Sequence, residues 1–432
     1  MSIDISAEEN CCQEYENAAG LSRRRFMAGM AAAGTTGVAT TMFGDAVRQA
    51  SFGNVGGGNV LVVISLRGGI DGLGMVVPHG DPAYYAARRT LALPAASLVA
   101  KDPMFGLHPA MAPVKWMFDS GELAAVHAVG MDMPNRSHFM AMEQIEDANP
   151  GSDTRTGWVN RMIGLDGDAA PSEAVHLTDS IVPTMFVGEA PSLSCDRLDR
   201  IKLSGDKDKF SGGRRSQIQT MWAPEQNPLG DAVRSALATV TQLSPIAQQQ
   251  IVPQNGAVYP REWPASDLSD ALRSTAHLIR ADVGTEVISI DFGSWDMHSN
   301  YGRPGAGEMH SMVGGFAREL NAFMQDLGAL RSRVTVVTIS EFGRRVQENG
   351  NQGLDHGWGN MMLLAGAGVR GGQYYGSWPG LASGNLVDGD LKVTTDYRQV
   401  LGEVVTSRFN RSISNVFPTL AYNPLGVMRP GT

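Results

Sequence analysis

Short runs of aliphatic and β-branched residues recur along the chain, and each has the length of a buried strand rather than of a helix. Charged or glycine-rich turns bound these runs, as expected for the strands of a central sheet. Longer segments between them place apolar residues three and four positions apart, which predicts amphipathic helices. The predicted strands are 60–66, 123–129, 286–290, 334–339 and 361–365, and the predicted helices are 109–120, 139–147, 229–249, 268–281, 309–327 and 397–408.

The alternation of strands and helices predicts an α/β fold, with a doubly wound, mostly parallel sheet and helices on both of its faces. The helix 309–327 is expected to return the chain from strand 286–290 to strand 334–339 in a right-handed βαβ crossover. Residues 51–432 form the predicted domain. Within it, residues 149–283 are less regular, and we expect them to be an insertion or cap that shapes a substrate pocket.

The composition narrows the class of function. The chain has 432 residues, 43% of them hydrophobic, and its formal charge of −9 gives no reason to expect a nucleic-acid partner. The glycine-rich turn 67–72 matches neither GxGxxG nor GxxxxGK, and three cysteines are too few for a four-cysteine iron–sulfur site. Both observations disfavour a cofactor-dependent oxidoreductase. An acyl hydrolase would need a serine in a GxSxG elbow, and Ser137, in the segment NRSHF, is not in such a motif.

The N-terminal segment has the features of an export signal. Residues 22–27, SRRRFM, precede a weakly apolar run of Ala, Gly and Thr that extends to Phe43, and together they resemble a twin-arginine signal. The run is too short and too rich in Gly and Thr for a stable membrane span. We therefore expect residues 1–50 to be a signal peptide and linker, cleaved near Ala46 to Ala50. The Tat export machinery would then be a partner, and the location periplasmic or extracellular. A basic turn before an ordinary helix is the alternative.

Polar side chains with metal-binding chemistry stand at the ends of the predicted strands. The carboxyl ends of parallel strands meet at one edge of a sheet, where such side chains serve as metal ligands or acid/base groups. Carboxylates with histidines suit one or two divalent ions, with Zn²⁺, Mn²⁺, Mg²⁺ and Ca²⁺ as candidates. The predicted ligands are Asp71, Asp296, His298, Glu341, Asp355 and His356. For Asp71, capping of the following turn is the alternative role.

A serine stands at the start of a predicted helix. Asn135 or Ser137 begins the helix 139–147, where free backbone N–H groups and the helix dipole favour an anion. The Ser137 hydroxyl is well placed there as a nucleophile or a phosphate contact. A plain N-cap is the alternative role for Ser137.

Five segments resemble those of the DUF1501 family, a group of bacterial proteins often exported with twin-arginine signals. They are LRGGIDGL, NRSHF, DFGSWDMHSN, SEFGRRVQENG and DHGWGN, and they span nearly all of the chain after the signal. The family is placed with the alkaline phosphatase/sulfatase-like superfamily, which implies a doubly wound α/β fold, two divalent metals and a nucleophile at a helix start. By this resemblance, Asp71 is the first-strand metal ligand and Ser137 is the nucleophile.

The resemblance also assigns the remaining site residues. Asp296 and His298 resemble the Asp…His pair of the superfamily, Glu341 the aspartate of its Asp-His-Gly motif, and His356 its final histidine. The chain departs from this pattern at residues 341–343, Glu-Phe-Gly, where phenylalanine replaces a histidine ligand. Either Asp355 supplies the missing ligand or the centre holds one ion only.

The expected function is therefore that of an exported, metal-dependent hydrolase of phosphate or sulfate esters, with a small-molecule or polymer ester as substrate. Ser137 would attack in line, and Arg67, Arg136 or His138 would steady the oxyanion. The alternative, favoured by Phe342, is a non-catalytic binding or scaffold protein on the same fold with a degraded metal site.

Overall fold

Nine strands form one sheet within residues 58–152, 155–166, 171–178, 182–203, 211–225 and 227–431, which the computed structural model describes. The predicted export signal lies outside these residues. The strands are β1 (Val60–Leu66), β2 (Leu123–Gly130), β3 (Ala174–Leu177), β4 (Leu193–Cys195), β5 (Val287–Phe292), β6 (Val334–Ile339), β7 (Asn360–Gly366), β8 (Tyr374–Tyr375) and β9 (Thr395–Asp396). Their order across the sheet is β8-β2-β7-β6-β1-β5-β3-β4, and β9 pairs with β2.

The sheet is mixed but mostly parallel. The central strand β1 pairs in parallel with β5 on one side and β6 on the other. The exception is β7, which runs antiparallel to both of its neighbours, β6 and β2. The predicted fold class, a mostly parallel α/β sheet, is confirmed.

Helices cover both faces of this sheet. Every residue of β1 is buried, which explains its unbroken apolar sequence, VLVVISL. Val62 and Ile64 pack in one core cluster, and Leu61 and Val63 pack in a second cluster on the opposite face. The helices are α1 (Gly72–Met75), α2 (Pro82–Ala87), α3 (Lys115–Asp119), α4 (His138–Asp147), α5 (Trp158–Ile163), α6 (Ser211–Trp222), α7 (Pro228–Ala247), α8 (Ser266–Ala281), α9 (Glu308–Leu327), α10 (Tyr397–Phe409) and α11 (Ile413–Val416).

The long helix α9 makes the predicted crossover between two strands of the sheet. Helix α9 follows β5 and leads the chain back to β6, and these two parallel strands flank β1. Its apolar residues Met312, Phe316, Leu320 and Phe323 are buried in one cluster, as their spacing predicts. The loop that follows β5 and the loop that follows β6 consequently lie at the same edge of the sheet.

Two predictions about the chain's organisation compare with the structure as follows. The region 149–283 was expected to be an insertion or cap, and within it β3 and β4 extend the central sheet beside β5. The segment 109–120 was expected to be one helix, but Pro109–Val114 is a 3₁₀-helix that continues into α3. Pro113 lies in this segment and has no N–H to donate to an α-helical hydrogen bond. No helix in the described ranges combines the length and the apolar character of a membrane span.

Candidate metal centre

Histidine and aspartate side chains from three separate segments meet at the edge where β1, β5 and β6 end. His138 is the first residue of α4, Asp296 and His298 lie in the loop after β5, and His356 lies just before β7. One donor atom from each of His138, Asp296 and His356 lies within 4.8 Å of the other two. His138 and His356 are buried, whereas the side chains of Asp296 and His298 are 27% and 28% exposed. The cluster is therefore built into the protein but open on one side.

The Nε2 atom of His356 is at the centre of this cluster. It lies 3.0 Å from Nε2 of His138, 2.9 Å from Nε2 of His298 and 3.2 Å from Oδ1 of Asp296. The same carboxylate is 3.0 Å from Nε2 of His298 and 3.5 Å from Nε2 of His138. Ligands of a tetrahedral ion with bonds of about 2.0–2.1 Å are separated by roughly 3.3–3.4 Å, so the spacing is compatible with such an ion.

Each of the three histidines has its other ring nitrogen held by an oxygen. Nδ1 of His138 lies 2.8 Å from Oε1 of Glu341, and Nδ1 of His298 lies 3.2 Å from Oδ1 of Asp355. Nδ1 of His356 lies 2.9 Å from the carbonyl oxygen of residue 136. Because carboxylate and carbonyl oxygens accept hydrogen bonds, each Nδ1 is a donor, and Nε2 is therefore the atom whose lone pair each ring offers to an ion when the ring is neutral.

Three Nε2 lone pairs beside a carboxylate oxygen repel one another unless a positive charge lies among them. Imidazole nitrogen and carboxylate oxygen are the donors that Zn²⁺ takes in proteins, and histidine ligands are commonly oriented by an acceptor on the second nitrogen. The chemistry of the donor set therefore fits a divalent transition-metal ion, with zinc first among the candidates.

The histidine pKa values respond to this crowding in different directions. Burial lowers the pKa of His138, but hydrogen bonds and charges from Asp296 and Glu341 outweigh burial and raise it to about 9. The hydrogen bond with Asp296 raises the pKa of His298. Burial dominates at His356 and lowers its pKa.

The carboxylates of the centre are held in the ionised form. Burial opposes ionisation of Asp296, but hydrogen bonds from the three histidines and the charge of Arg344 bring its pKa far below the usual value. The pKa of Glu341 is lowered against burial by His138, and the pKa of Asp355 is lowered against burial by Asn349 and His298. Ionised carboxylates are what metal binding requires.

Glu341 and Asp355, both predicted metal ligands, lie behind the histidines. Oε1 of Glu341 accepts hydrogen bonds from His138 and from the backbone N–H of Gly68, the latter at 2.8 Å. Oδ1 of Asp355 accepts from His298 and, at 2.8 Å, from Nδ2 of Asn349. The structure thus gives these two carboxylates contacts that orient histidines, and their direct binding of an ion stays a prediction.

Asp71, the predicted first-strand ligand, is engaged elsewhere. Its Oδ2 and Oδ1 accept from Nη1 and Nη2 of Arg88 at 2.5 and 2.8 Å, and Tyr301 donates its hydroxyl to Oδ2 at 2.6 Å. Both Asp71 and Arg88 are buried. A buried carboxylate needs such compensation, and here a bidentate arginine supplies it. The prediction of Asp71 as a ligand is therefore not supported.

Arg344 and Phe342 complete the surroundings of the histidines. The buried guanidinium of Arg344 donates from Nη2 to Oδ1 of Asp296 at 2.5 Å. The ring of Phe342 lies 4.8 Å, between centroids, from the rings of both His138 and His356. Phe342 therefore packs against two histidines of the cluster.

The residues predicted to steady an oxyanion have different positions. The Nε2 atom of His138 belongs to the donor cluster, so its predicted role is replaced by that of a candidate ligand. Arg67 pairs with Glu146 at 2.8 Å and with Asp291 at 2.9 Å. The side chain of Arg136 is 36% exposed and pairs with the buried carboxylate of Asp390, while its backbone carbonyl accepts from His356. Of the three, Arg136 has the most exposed side chain, compared with Arg67 at 21% and His138 at 8%.

Ser137 is the N-cap residue of α4, and its side chain makes no capping hydrogen bond. Its backbone N–H donates to Oδ1 of Asn135 at 3.0 Å. The neighbours of Ser137 in the chain both touch the cluster, because the carbonyl of Arg136 accepts from His356 and the ring of His138 is part of it. The serine hydroxyl is thus carried by the segment that borders the histidines.

Three solved structures show limited similarity to this chain. They are the C-terminal periplasmic domain of EcEptC from Escherichia coli in complex with Zn (9% identity, 74% of this chain and 76% of that chain, TM-score 0.31), wild-type alkaline phosphatase PafA (10% identity, 68% and 64%, TM-score 0.34) and the PsFucS1 sulfatase from Pseudoalteromonas sp. (12% identity, 74% and 64%, TM-score 0.30). At such TM-scores, any assignment of an activity depends on the chain's own residues.

Comparison with curated proteins found no match. A family model does match, over residues 124–399, which include the donor residues His138, Asp296, His298 and His356. The family is DUF1501, described as proteins of unknown function. The matched range covers well over half of the 432 residues, and the chain belongs to this family.

Proposed function

We propose that this protein is a metal-dependent hydrolase of phosphate or sulfate esters. The observation that carries the proposal is the set of three histidines with each Nδ1 held by an oxygen and each Nε2 beside Asp296 or His356. Such an arrangement prepares imidazoles to bind a cation, and a buried cluster of this kind has no evident use in packing alone. In this proposal His138, Asp296, His298 and His356 hold the ion.

The proposed chemistry is transfer of the phosphoryl or sulfuryl group to Ser137 and then to water. A bound divalent ion would act as a Lewis acid that withdraws charge from the ester oxygens. The Ser137 oxygen forms a bond to phosphorus or sulfur while the ester bond breaks, and the serine proton leaves with the alcohol product. Water then cleaves the covalent intermediate, which releases phosphate or sulfate and restores the hydroxyl.

Arg136 is proposed to bind the anionic group of the substrate. Its guanidinium is fixed by Asp390, and in the same turn the carbonyl of Asp388 accepts from Nη1 of Arg345 at 2.7 Å. Arg136 and Arg345 thus place two guanidinium groups beside the carboxylates of Asp388 and Asp390. Guanidinium groups favour phosphate and sulfate oxygens because they offer paired N–H donors.

The proposed place of action is outside the cytoplasm. Residues 22–27 support this, because they resemble a twin-arginine signal. The substrate is proposed to be a small-molecule or polymer ester, and the Tat machinery the export partner. The alternative of a binding protein with a degraded site was suggested by Phe342, but Phe342 packs against His138 and His356 while other residues supply donors.

Elemental analysis of the protein purified from the periplasm tests this proposal. Wild type is expected to carry a bound divalent ion, and His356→Ala is expected to lose it. His277→Ala is the matched control, because His277 lies on α8 and bonds the carbonyl of Ile246 at 2.9 Å. Wild-type protein without bound metal, or equal metal in the two variants, would contradict the proposal.

A further inference from the structure

We propose that the centre holds a single divalent ion and that the guanidinium of Arg344 acts as a permanent second cation beside it. This inference rests on the metal dependence proposed above and adds to it the number of ions and the role of Arg344. Three sets of observations support it: the anchoring of Arg344, the charge balance of the cluster and the engagement of the remaining carboxylates.

Arg344 is fixed in place by backbone carbonyls from separate loops. Its Nε donates to Gly69 O at 2.6 Å, its Nη1 to Leu354 O at 2.9 Å and its Nη2 to Trp295 O at 3.2 Å. Nη2 also donates to Oδ1 of Asp296. The residue is 2% exposed, so the guanidinium has no route to solvent without breaking these bonds. An arginine side chain stays charged at neutral pH, which makes this a constant positive charge beside Asp296.

The charges around the histidines balance with one divalent ion. Asp296, Glu341 and Asp355 supply three negative charges, and Arg344 supplies one positive charge. Histidines that bind a metal ion are neutral, so in the ion-bound centre these charges leave a deficit of two positive charges, which one divalent ion neutralises. A second divalent ion would leave two uncompensated positive charges in a largely buried cluster, where unpaired charge is costly.

Two further carboxylates near the cluster already have strong partners. Asp71 is paired with Arg88 on both oxygens, and Oε1 of Glu341 accepts from His138 and Gly68. The donor atoms of His138, Asp296 and His356 lie within 4.8 Å of one another, and His298 adds a donor beside Asp296 and His356, so these donors belong to one cluster. The available ligand atoms and the charge balance therefore both indicate one ion.

The direct test is the number of ions bound by the full-length exported protein after equilibration with excess Zn²⁺ and, separately, excess Mn²⁺. Unbound ion is removed by gel filtration, and metal and protein are measured by mass spectrometry and amino-acid analysis. We expect one ion per chain with either metal. Two ions per chain overturn this inference but leave the proposed function standing. No bound ion overturns both.

Three variants test the assigned roles. Arg344→Gln removes the fixed positive charge beside Asp296 and is expected to tighten binding of the single ion about tenfold, measured by competition with a chromogenic chelator. Arg344→Lys, which keeps the charge, is expected to bind the ion as wild type does. The double variant Asp71→Asn, Arg88→Gln removes both members of a buried pair and is expected to keep one ion. A loss of metal in the double variant would show that Asp71 is a ligand. Unchanged or weaker ion binding in folded Arg344→Gln would overturn the role of Arg344, and circular dichroism establishes the folding of each variant.

Discussion

The Nδ1 atom of His138 lies 2.8 Å from Oε1 of Glu341, and both side chains are buried. The glutamate is anchored from behind by the N–H of Gly68, so its position is set by the turn that follows β1. A carboxylate in this place fixes which ring nitrogen of His138 carries the proton. It thereby decides that Nε2 is the atom offered to an ion.

Replacing Glu341 by glutamine should weaken metal binding without preventing it. The amide oxygen still accepts from His138, but the negative charge that favours the Nδ1–H form is lost. Loss of such a partner typically reduces metal affinity by about 10–100-fold. Competition with a chromogenic chelator measures the change. Glu348→Gln is the control, because Glu348 bonds the hydroxyl of Thr90 at the surface. Equal affinities in the two variants would mean that Glu341 does not act on the ion.

Ser137→Ala should abolish turnover while leaving the fold and the metal intact. The Ser137 side chain makes no capping bond in α4, so its removal is expected to change the free energy of unfolding by less than about 0.5 kcal/mol. Loss of a nucleophile is expected to lower kcat by at least about a thousandfold. Phosphate and sulfate ester hydrolysis, ion content and thermal unfolding are measured together. Ser412→Ala is the control, since Ser412 is also an N-cap without a capping bond. Retained turnover in Ser137→Ala would remove the serine from the mechanism.

Arg136→Gln should weaken the binding of anions at the rim of the centre. The variant keeps the backbone carbonyl that holds His356, so the ion content is expected to stay unchanged. Loss of a charged hydrogen-bond donor is expected to raise KM, and the inhibition constant for inorganic phosphate or sulfate, about tenfold, equivalent to about 1.4 kcal/mol. The exposed neighbour of Arg88 provides the control Arg89→Gln. A tenfold loss in both variants would indicate a general charge effect rather than a contact.

The free energy of unfolding should depend on pH through Glu146. Burial raises the pKa of Glu146 to about 7, with Arg67 acting against this shift and Asp291 in favour of it. A carboxyl group whose pKa is higher in the folded protein binds its proton more tightly there. Its stabilisation is therefore complete below the unfolded pKa of 4.5 and is lost as the pH rises through about 7.

In Glu146→Gln, the free energy of unfolding should accordingly lose about 2–3 kcal/mol of its change between pH 5 and pH 8. Urea denaturation at several pH values measures the effect. Glu143→Gln, on the same helix but exposed and paired with Arg155, should leave the slope as in wild type. A wild-type slope in Glu146→Gln would show that this carboxyl group titrates normally.

The strands were predictable because burial on both faces demands continuous apolar sequence. The runs at 60–66 and 334–339 match β1 and β6 in full, and the other predicted strands agree to within two residues at each end. The direction of β7 was not predictable, because a strand buried on both faces has the same composition whether it runs parallel or antiparallel. The short strands β3 and β4, of four and three residues, carry too little periodicity to be recognised.

The site was predicted in part for a similar reason. Asp296, His298 and His356 follow or precede core strands, so the topology alone brings them to one edge. The partners of the carboxylates were not predictable, because Arg88 and Arg344 reach Asp71 and Asp296 from 17 and 48 residues away with no local pattern. His138 was expected to steady the oxyanion, because only side-chain orientation, which the sequence does not give, decides that its Nε2 faces His356.

The antiparallel direction of β7 explains why Glu341 and His356 lie at the same edge of the sheet. A parallel strand after β6 would begin at the opposite edge of the sheet, about 20 Å away for a six-residue strand. Because β7 runs the other way, the chain leaves β6 at Glu341 and re-enters the sheet just after His356 at the same edge. Glu341 and His356 thus lie on the two arms of one hairpin-like loop. Because they are close in the sequence, we expect them to meet early in folding. His138 and Asp296 are distant in the sequence and reach the centre only when the sheet closes.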